Sequence, residues 1–360
     1  MKRDRRTFLK VVGVAGIPGL AGCMREREPE NANGTTPIDE ATNVGMVYSL
    51  GGLGDQSVND VAHQGIQEAA RDMVVEFQNA EPGTMEDFNG LQQQFGRSEE
   101  PDYDLVCCIG FTQANALTDN ALQFPDQDFM LVDGVVEADN VANYVFEEPE
   151  GSFQVGHLAG LLTTREFDAG SGRTNEEPVV GFVGGLEDDH TRGYEAGYRA
   201  GVAHAAQTVE VRSAYAERVD DPEVGAEITS SMIEQGADVV YHAAGRTGIG
   251  VFQAAQEEGI YAIGADADQS RSAEEFSDVI VASMAKRVDT AVYTAVENVV
   301  EDDHQGGEVN SFGLEDGGVQ AVIGQDFEAE IPDDITVALE ESRQAIVDGE
   351  IDVPQHTEEL

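Results

Sequence analysis

Lysine occupies positions 2, 10 and 286 of the 360-residue chain, so beyond the N-terminal segment one side chain carries a primary ammonium. The other fixed cations there are arginines. An ammonium is a compact charge with three rotatable donors and a guanidinium is a planar fork. A single lysine in a chain that otherwise uses arginine therefore points to a contact that needs the compact donor. Lys286 follows a predicted strand, Val279–Ser283, and precedes a helix predicted from Val288. Ligands of open α/β sheets bind at such strand-end loops, so Lys286 is expected to hold a small solute. Other chemistries find little support. Gly51, Gly52 and Gly54 suggest a dinucleotide loop, but Ser57 stands where a third glycine is needed and no acid follows a second strand at the right distance. G-x-S-x-G is absent. Cys107 and Cys108 are adjacent within the apolar run Leu105–Ile109, which reads as buried free thiols. The seven histidines are scattered without metal-ligand spacing. The expectation is a binding protein, not an enzyme, with neither cofactor nor metal.

The N-terminus sets the location. Arg5 and Arg6, then Thr7-Phe8-Leu9-Lys10, an apolar run Val11–Leu20 and Ala21-Gly22-Cys23 read as a twin-arginine export signal ending in a lipobox. The run is about ten residues, broken by Gly13, Gly16, Pro18 and Gly19, against the roughly twenty a spanning helix needs. Residues 1–22 are thus expected to be cleaved, leaving Cys23 as a lipid-bearing N-terminus at the outer face of the cell membrane. Residues 23–43 are rich in Glu, Asn, Thr and Pro without apolar periodicity and read as an acidic tether. The 70 acidic and 20 basic residues give a formal charge of −50, a field that repels nucleic acid and anionic headgroups. Such a surface suits very high salt, where the screening length shrinks to about 3 Å.

From Val44 onward, strand-length apolar runs alternate with segments of helical period, which predicts parallel sheets flanked by helices. Strands are expected at Val44–Leu50, Met73–Phe77, Leu105–Ile109, Phe129–Asp133 and Ala142–Phe146. A second series follows the helix Gly151–Thr164, at Val179–Val183, Val209–Ala214, Val239–His242, Ile260–Gly264 and Val279–Ser283. A polar loop, Asp168–Glu177, reads as a surface excursion. The tail shows a helix Val288–Val300, short strands Ser311–Leu314 and Val319–Val322, and an amphipathic helix Asp334–Val347.

Eight stretches in order, VGMVYSLGGLGDQSVND, DLVCCIGFTQANAL, FEEPEGSFQVGHLAG, VVGFVGGLEDDHTRGYEAGYRAGV, YHAAGRTGIGVFQAA, IGADADQ, VASMAKRVDTAV and FGLEDGGVQ, resemble the basic membrane protein family. These are lipid-anchored substrate-binding proteins of ABC importers, whose best-known members bind purine nucleosides. The resemblance implies the type I periplasmic-binding-protein fold: two doubly wound parallel-sheet lobes joined by three crossing segments. The divisions expected are 44–147 with 285–307 as the first lobe, 148–284 with 308–331 as the second, and 332–360 as a C-terminal helix and tail. By the same resemblance Lys286 donates to ligand hydroxyls and Asp266 accepts from two of them, a sound way to read a ribose. Gly245 lets the ligand approach the backbone, and Asp133 contacts its polar edge. Asp268 reads as a solvated turn residue.

The departures bear on the ligand. Ser49 stands where nucleoside-binding members usually have aspartate, and Gln56 where they have Asn or Lys. Val58 and Val219 align with the phenylalanines that sandwich the base, and each lost stacking contact is worth about 1–3 kcal/mol. Phe111, at a strand end, is the compensating aromatic expected in the cleft, whereas Tyr48 and Tyr194 read as core. Arg246 replaces a common glycine and would meet an acidic ligand group or a surface carboxylate. The function expected is capture of a nucleoside or similar hydroxylated solute by hinge closure, as a monomer handing it to an ABC permease and its ATPase. Alternatives are a solute-sensing receptor of the same fold, or a binder of riboflavin, a sugar or an acidic metabolite.

Overall fold

The computed structural model describes residues 41–360; the expected signal, the lipid-bearing Cys23 and nearly all of the tether lie outside them. In chain order the first series is β1 (Thr42–Val47), α1 (Val58–Asp72), β2 (Val75–Ala80), α2 (Asp87–Gly96), β3 (Leu105–Cys108), α3 (Ala114–Gln123), β4 (Asp128–Val132) and β5 (Val141–Phe146). The second is α4 (Glu148–Thr163), the short β6 (Asp168–Ala169) and β7 (Gly172–Arg173), β8 (Val179–Gly184), α5 (Asp189–Ala205), β9 (Glu210–Tyr215), α6 (Pro222–Ile233), β10 (Val239–Ala243), α7 (Gly248–Glu258), β11 (Tyr261–Asp266), α8 (Gln269–Ser272) and β12 (Ile280–Lys286). The chain ends with α9 (Val288–Val300), β13 (Val309–Phe312), β14 (Val319–Ile323) and α10 (Asp333–Val347).

Two six-stranded sheets result, ordered β13-β5-β4-β3-β1-β2 and β14-β12-β11-β10-β8-β9. All pairings are parallel except β12 with β14. Central strands such as Leu105–Cys108 and Val179–Gly184 are buried along their whole length, as parallel strands covered on both faces must be. Helices α4 and α5 lie against each other backbone to backbone: a Cβ on Gly201 would come within 2.0 Å of the Phe153 carbonyl oxygen, and one on Gly156 within 2.2 Å of that of Tyr198. Fourteen of the residues of α4 are buried, and its buried polar side chains are paired, Ser152 Oγ with the Tyr241 hydroxyl at 3.0 Å and His157 Nδ1 with Ser342 Oγ at 2.9 Å.

The chain passes between the sheets after β5, after β12 and after β13. The three passages are hydrogen-bonded together, Glu147 N donating to Phe312 O at 2.8 Å and Arg287 N to Gly318 O at 2.9 Å. Two expectations need correction. Residues 309–312, assigned to the second lobe with 308–331, form a strand of the first sheet: they pair with Asn143–Phe146, and Phe312 stacks on Tyr144 with ring centroids 6.3 Å apart. The polar stretch 168–177 is no plain excursion either. Its hairpin is tied to the core by the Tyr261 hydroxyl, which donates to Gly172 O at 2.7 Å and accepts from Ala169 N at 3.0 Å.

Candidate functional site

The loops at the carboxyl ends of β1, β3, β4, β8, β10, β11 and β12 surround a cavity between the lobes, the place where open α/β sheets bind their ligands. Lys286 ends β12 inside it. Its side chain is 1% exposed, and its ammonium lies 2.7 Å from Asp133 Oδ2, 3.3 Å from Glu148 Oε1 and 3.3 Å from Asp266 Oδ1. Burial would lower the lysine's pKa, but the three acids outweigh it and hold the ammonium well above its usual range. Asp266 shows the converse balance. Burial pushes it up, but Lys286 and hydrogen bonds from Ser57 Oγ at 2.7 Å and Tyr194 OH at 3.2 Å carry it below the ordinary carboxylate value. For Glu148, at the first turn of α4, burial wins over Lys286 and His190 and its carboxyl is raised.

Asp133 and Asp266 both take left-handed backbone conformations, φ +62° and +66°. Such conformations cost of order 1 kcal/mol in a non-glycine residue and cluster at functional sites. They bring both carboxylates to the one ammonium. Asp133 Oδ2 is satisfied by Lys286, whereas Asp133 Oδ1 is buried with no partner among the described residues, as is the Thr112 hydroxyl. A buried acceptor left alone costs about 1–3 kcal/mol, so these atoms mark where a guest's donors would go. Asp55 also lines the cavity. Burial raises its carboxyl to about 7, against the backbone N–H groups of Ser57 and Asn59 that it accepts at the start of α1.

Of the residues selected from sequence, Lys286, Asp266, Gly245, Asp133, Ser49, Val58, Val219 and Phe111 line this one cavity. Gly245 has φ +52°, and an added Cβ would stand 3.2 Å from the Val219 carbonyl oxygen. Two do not line it. Gln56 turns its carbonyl to the other lobe, accepting from Gln269 Nε2 at 3.0 Å and Ser272 Oγ at 2.9 Å, and Arg246 is exposed outside the cavity. Asp268 binds Ser270 and Arg271 in its own turn. Tyr48 is core, bonded to His63, but Tyr194, read as core, lines the cavity, because the first turns of α5 point into it.

Glu148, Asp55, Thr112, Leu186 and His190 were missed. Glu148 had a signal in the acid-proline start of α4, the usual composition of a helix N-terminus; His190 had none. Asp133, Glu148 and His190 present ligand atoms within 4.8 Å of one another, a spacing a metal ion would accept. The Lys286 ammonium already occupies the two carboxylates, so the protein supplies its own cation there.

Residues 41–357 match the family model described as ABC transporter substrate-binding protein PnrA-like. A CD4+ T-cell-stimulating antigen of Listeria innocua is 32% identical over 98% of this chain and 99% of its own length. The ABC transporter nucleoside-binding protein BmpA of Lactococcus lactis is 27% identical with the same coverage. A crystal structure of an ABC transporter solute-binding protein from Aeropyrum pernix superposes with a TM-score of 0.76 at 28% identity, over 88% of this chain and 95% of that one. With two parallel-sheet lobes around an interlobe cavity and a family match across the described residues, the chain belongs to the PnrA-like, basic membrane protein family of ABC transporter substrate-binding proteins.

Proposed function

We propose that this protein captures a nucleoside or a closely related neutral, hydroxyl-rich solute outside the cell, held to the membrane by a lipid on Cys23, and presents it to an ABC permease. The observation that carries the reading is the Lys286 cluster. One ammonium faces Asp133, Asp266 and Glu148 at 2.7–3.3 Å, and Asp133 Oδ1 has no donor among the described residues. A ribose diol fits such a group, since its oxygens accept from the ammonium while its hydroxyls donate to the carboxylates. Acids outnumber cations around the cavity, and Arg246 stands outside it, so a phosphate or carboxylate on the guest is disfavoured. The nucleoside-binding name of the Lactococcus relative supports the same class.

Capture is by closure. Both lobes contribute lining residues, and Ser57 of the first donates to Asp266 of the second across the cavity. A guest touching both lobes shifts the population toward the shut form by its differential affinity. Mass spectrometry of solute retained by gently purified protein, followed by calorimetry with inosine, tests the reading. Retained nucleoside and micromolar or tighter inosine binding are expected. A retained organic acid or phosphate, with no response to inosine, would overturn it.

A further inference from the structure

The aromatic wall of the cavity is assembled from both lobes. Phe111 follows β3 in the first lobe, on a turn set by Gly110 at φ +97°. His190 is the second residue of α5 in the second lobe, after the Asp188 side chain caps the helix. The two rings stack across the cavity, centroids 4.5 Å apart and planes tilted by 34°. One turn further along α5, Tyr194 meets His190 edge-on at 5.4 Å. All three line the cavity. The His190 ring makes no hydrogen bond among the described residues, and its nearest ionic neighbour, Glu148 Oε1, is 3.9 Å away. The aromatic contacts and this one long ionic contact therefore hold that ring in place.

We propose that His190 is an affinity- and specificity-determining residue of the cleft. Its stack on Phe111 favours the shut arrangement of the lobes and completes an aromatic wall for guests that carry a flat ring. This rests on the solute-capture reading above and adds which part of the guest is read, and by what. Stacks of this kind shift an equilibrium by roughly three- to tenfold, so neither guest binding nor closure depends on His190 entirely. Both are tuned by it.

Lys286 makes a direct test possible without any guest. It is the single side-chain amine in residues 24–360 and its side chain is 1% exposed, so its rate of modification by trinitrobenzenesulfonate reports opening of the cleft. H190A and F111A are each expected to speed modification about three- to tenfold, the double variant no further, and H190F is expected to restore the slow rate. Unchanged rates in both alanine variants, or H190F as fast as H190A, would overturn the latch. Calorimetry forms the second arm: H190A is expected to weaken inosine more than ribose, with H190F recovering inosine, and equal losses for both probes would overturn the specificity role. If the wild-type protein binds neither probe, the nucleoside reading fails by itself and the amine rates still decide whether His190 latches the lobes.

Discussion

The charged and the apolar parts of the cavity are built on different terms. Lys286, Asp133, Asp266 and Glu148 are buried, held to one another at 2.7–3.3 Å and fixed by strand ends and a helix start. Leu50, Val58, Leu186 and Val219 line the remainder through shape alone. In the first part each group depends on the others, because an ion out of water needs its partners. In the second, side chains change with little consequence for the fold, as surface apolar contacts do. Substituting the charged part should therefore damage the protein and its binding together, whereas substituting the apolar part should alter which guest binds.

The largest effect expected is from Lys286→Met, which strands three buried acids. Breaking such a pair costs about 3–5 kcal/mol, or a fall in melting midpoint of roughly 10 °C for a protein of this size, and inosine binding should vanish in calorimetry. Val58→Ala, made in parallel, should lower the midpoint by a small fraction of that. A Lys286→Met protein as stable as wild type would mean that the acids carry no charge in the fold, and the contrast between the two parts would fail.

Acid should separate the cluster from ordinary buried bases. His242 on β10 is buried and makes no ion pair among the described residues: Nε2 meets Gln269 Oε1 at 2.9 Å, Nδ1 has no partner among them, and burial, outweighing Gln269 and the nearby Asp266, pushes the ring down to about 4. Burial and the nearby His204 lower His157 to about 4 as well. A histidine depressed in the folded state stabilises above its unfolded value, near 6.5, and loses that stabilisation as pH falls through about 4, of order 3 kcal/mol each when complete. Glu148, Asp55 and Asp238 are raised by burial, the last two to about 7 and about 6, and a carboxyl raised in the folded state stabilises as pH falls, so these acids offset the histidines. The melting midpoint should therefore stay nearly level between pH 6.5 and 4 while the Lys286–Asp266 pair persists, since Asp266 is held below its ordinary value. His242→Asn should remove one of the opposing histidines and let the midpoint rise as pH falls through this window, and a profile identical to wild type would place the titration elsewhere.

The same division explains what could be read from sequence. The alternation of strands and helices, and Lys286 as an isolated lysine, follow from chemistry local to the chain. The Asp133 and Asp266 contacts came through the resemblance and end at that ammonium. What escaped depends on long-range placement. Glu148 reaches the ammonium only because α4 starts at a passage between lobes, and the strand Val309–Phe312 changes lobe because it pairs with β5 across more than 160 residues of sequence. His190 gains its place in the site from Phe111, a partner in the other lobe, and no spacing in the sequence announces that pair. Gln56 was assigned by its side chain, yet its carbonyl makes the contacts between lobes.

In the apolar part, Val58→Phe should increase affinity for inosine about tenfold, within the 1–3 kcal/mol a base gains from an aromatic face. The melting midpoint should move little, because Val58 is half-buried at the cavity edge. Calorimetry with inosine and ribose checks both parts of the expectation, since ribose offers no ring to stack and should be indifferent. A loss of inosine affinity would mean that the apolar part is already filled to van der Waals contact and selects a smaller or non-planar guest.

The smallest effect expected falls where the two parts meet. Gly245 sits at φ +52°, and a methyl there would stand 3.2 Å from the Val219 carbonyl oxygen and 3.5 Å from its Cβ. Gly245→Ala therefore combines left-handed strain, about 1 kcal/mol for an alanine, with crowding against backbone that cannot rotate away. A midpoint lowered by about 2–4 °C follows from the strain. A further loss in inosine affinity of about two- to fivefold, the size of a sub-kcal/mol contact, would come from the methyl narrowing the cavity beside Val219. Val219→Ala in the same chain should restore neither affinity nor midpoint, because alanine keeps both the carbonyl oxygen and the Cβ that meet the added methyl. Recovery of affinity in that double variant would place the narrowing on the Val219 methyl groups instead. An inosine affinity unchanged in Gly245→Ala alone would confine the glycine's role to the turn.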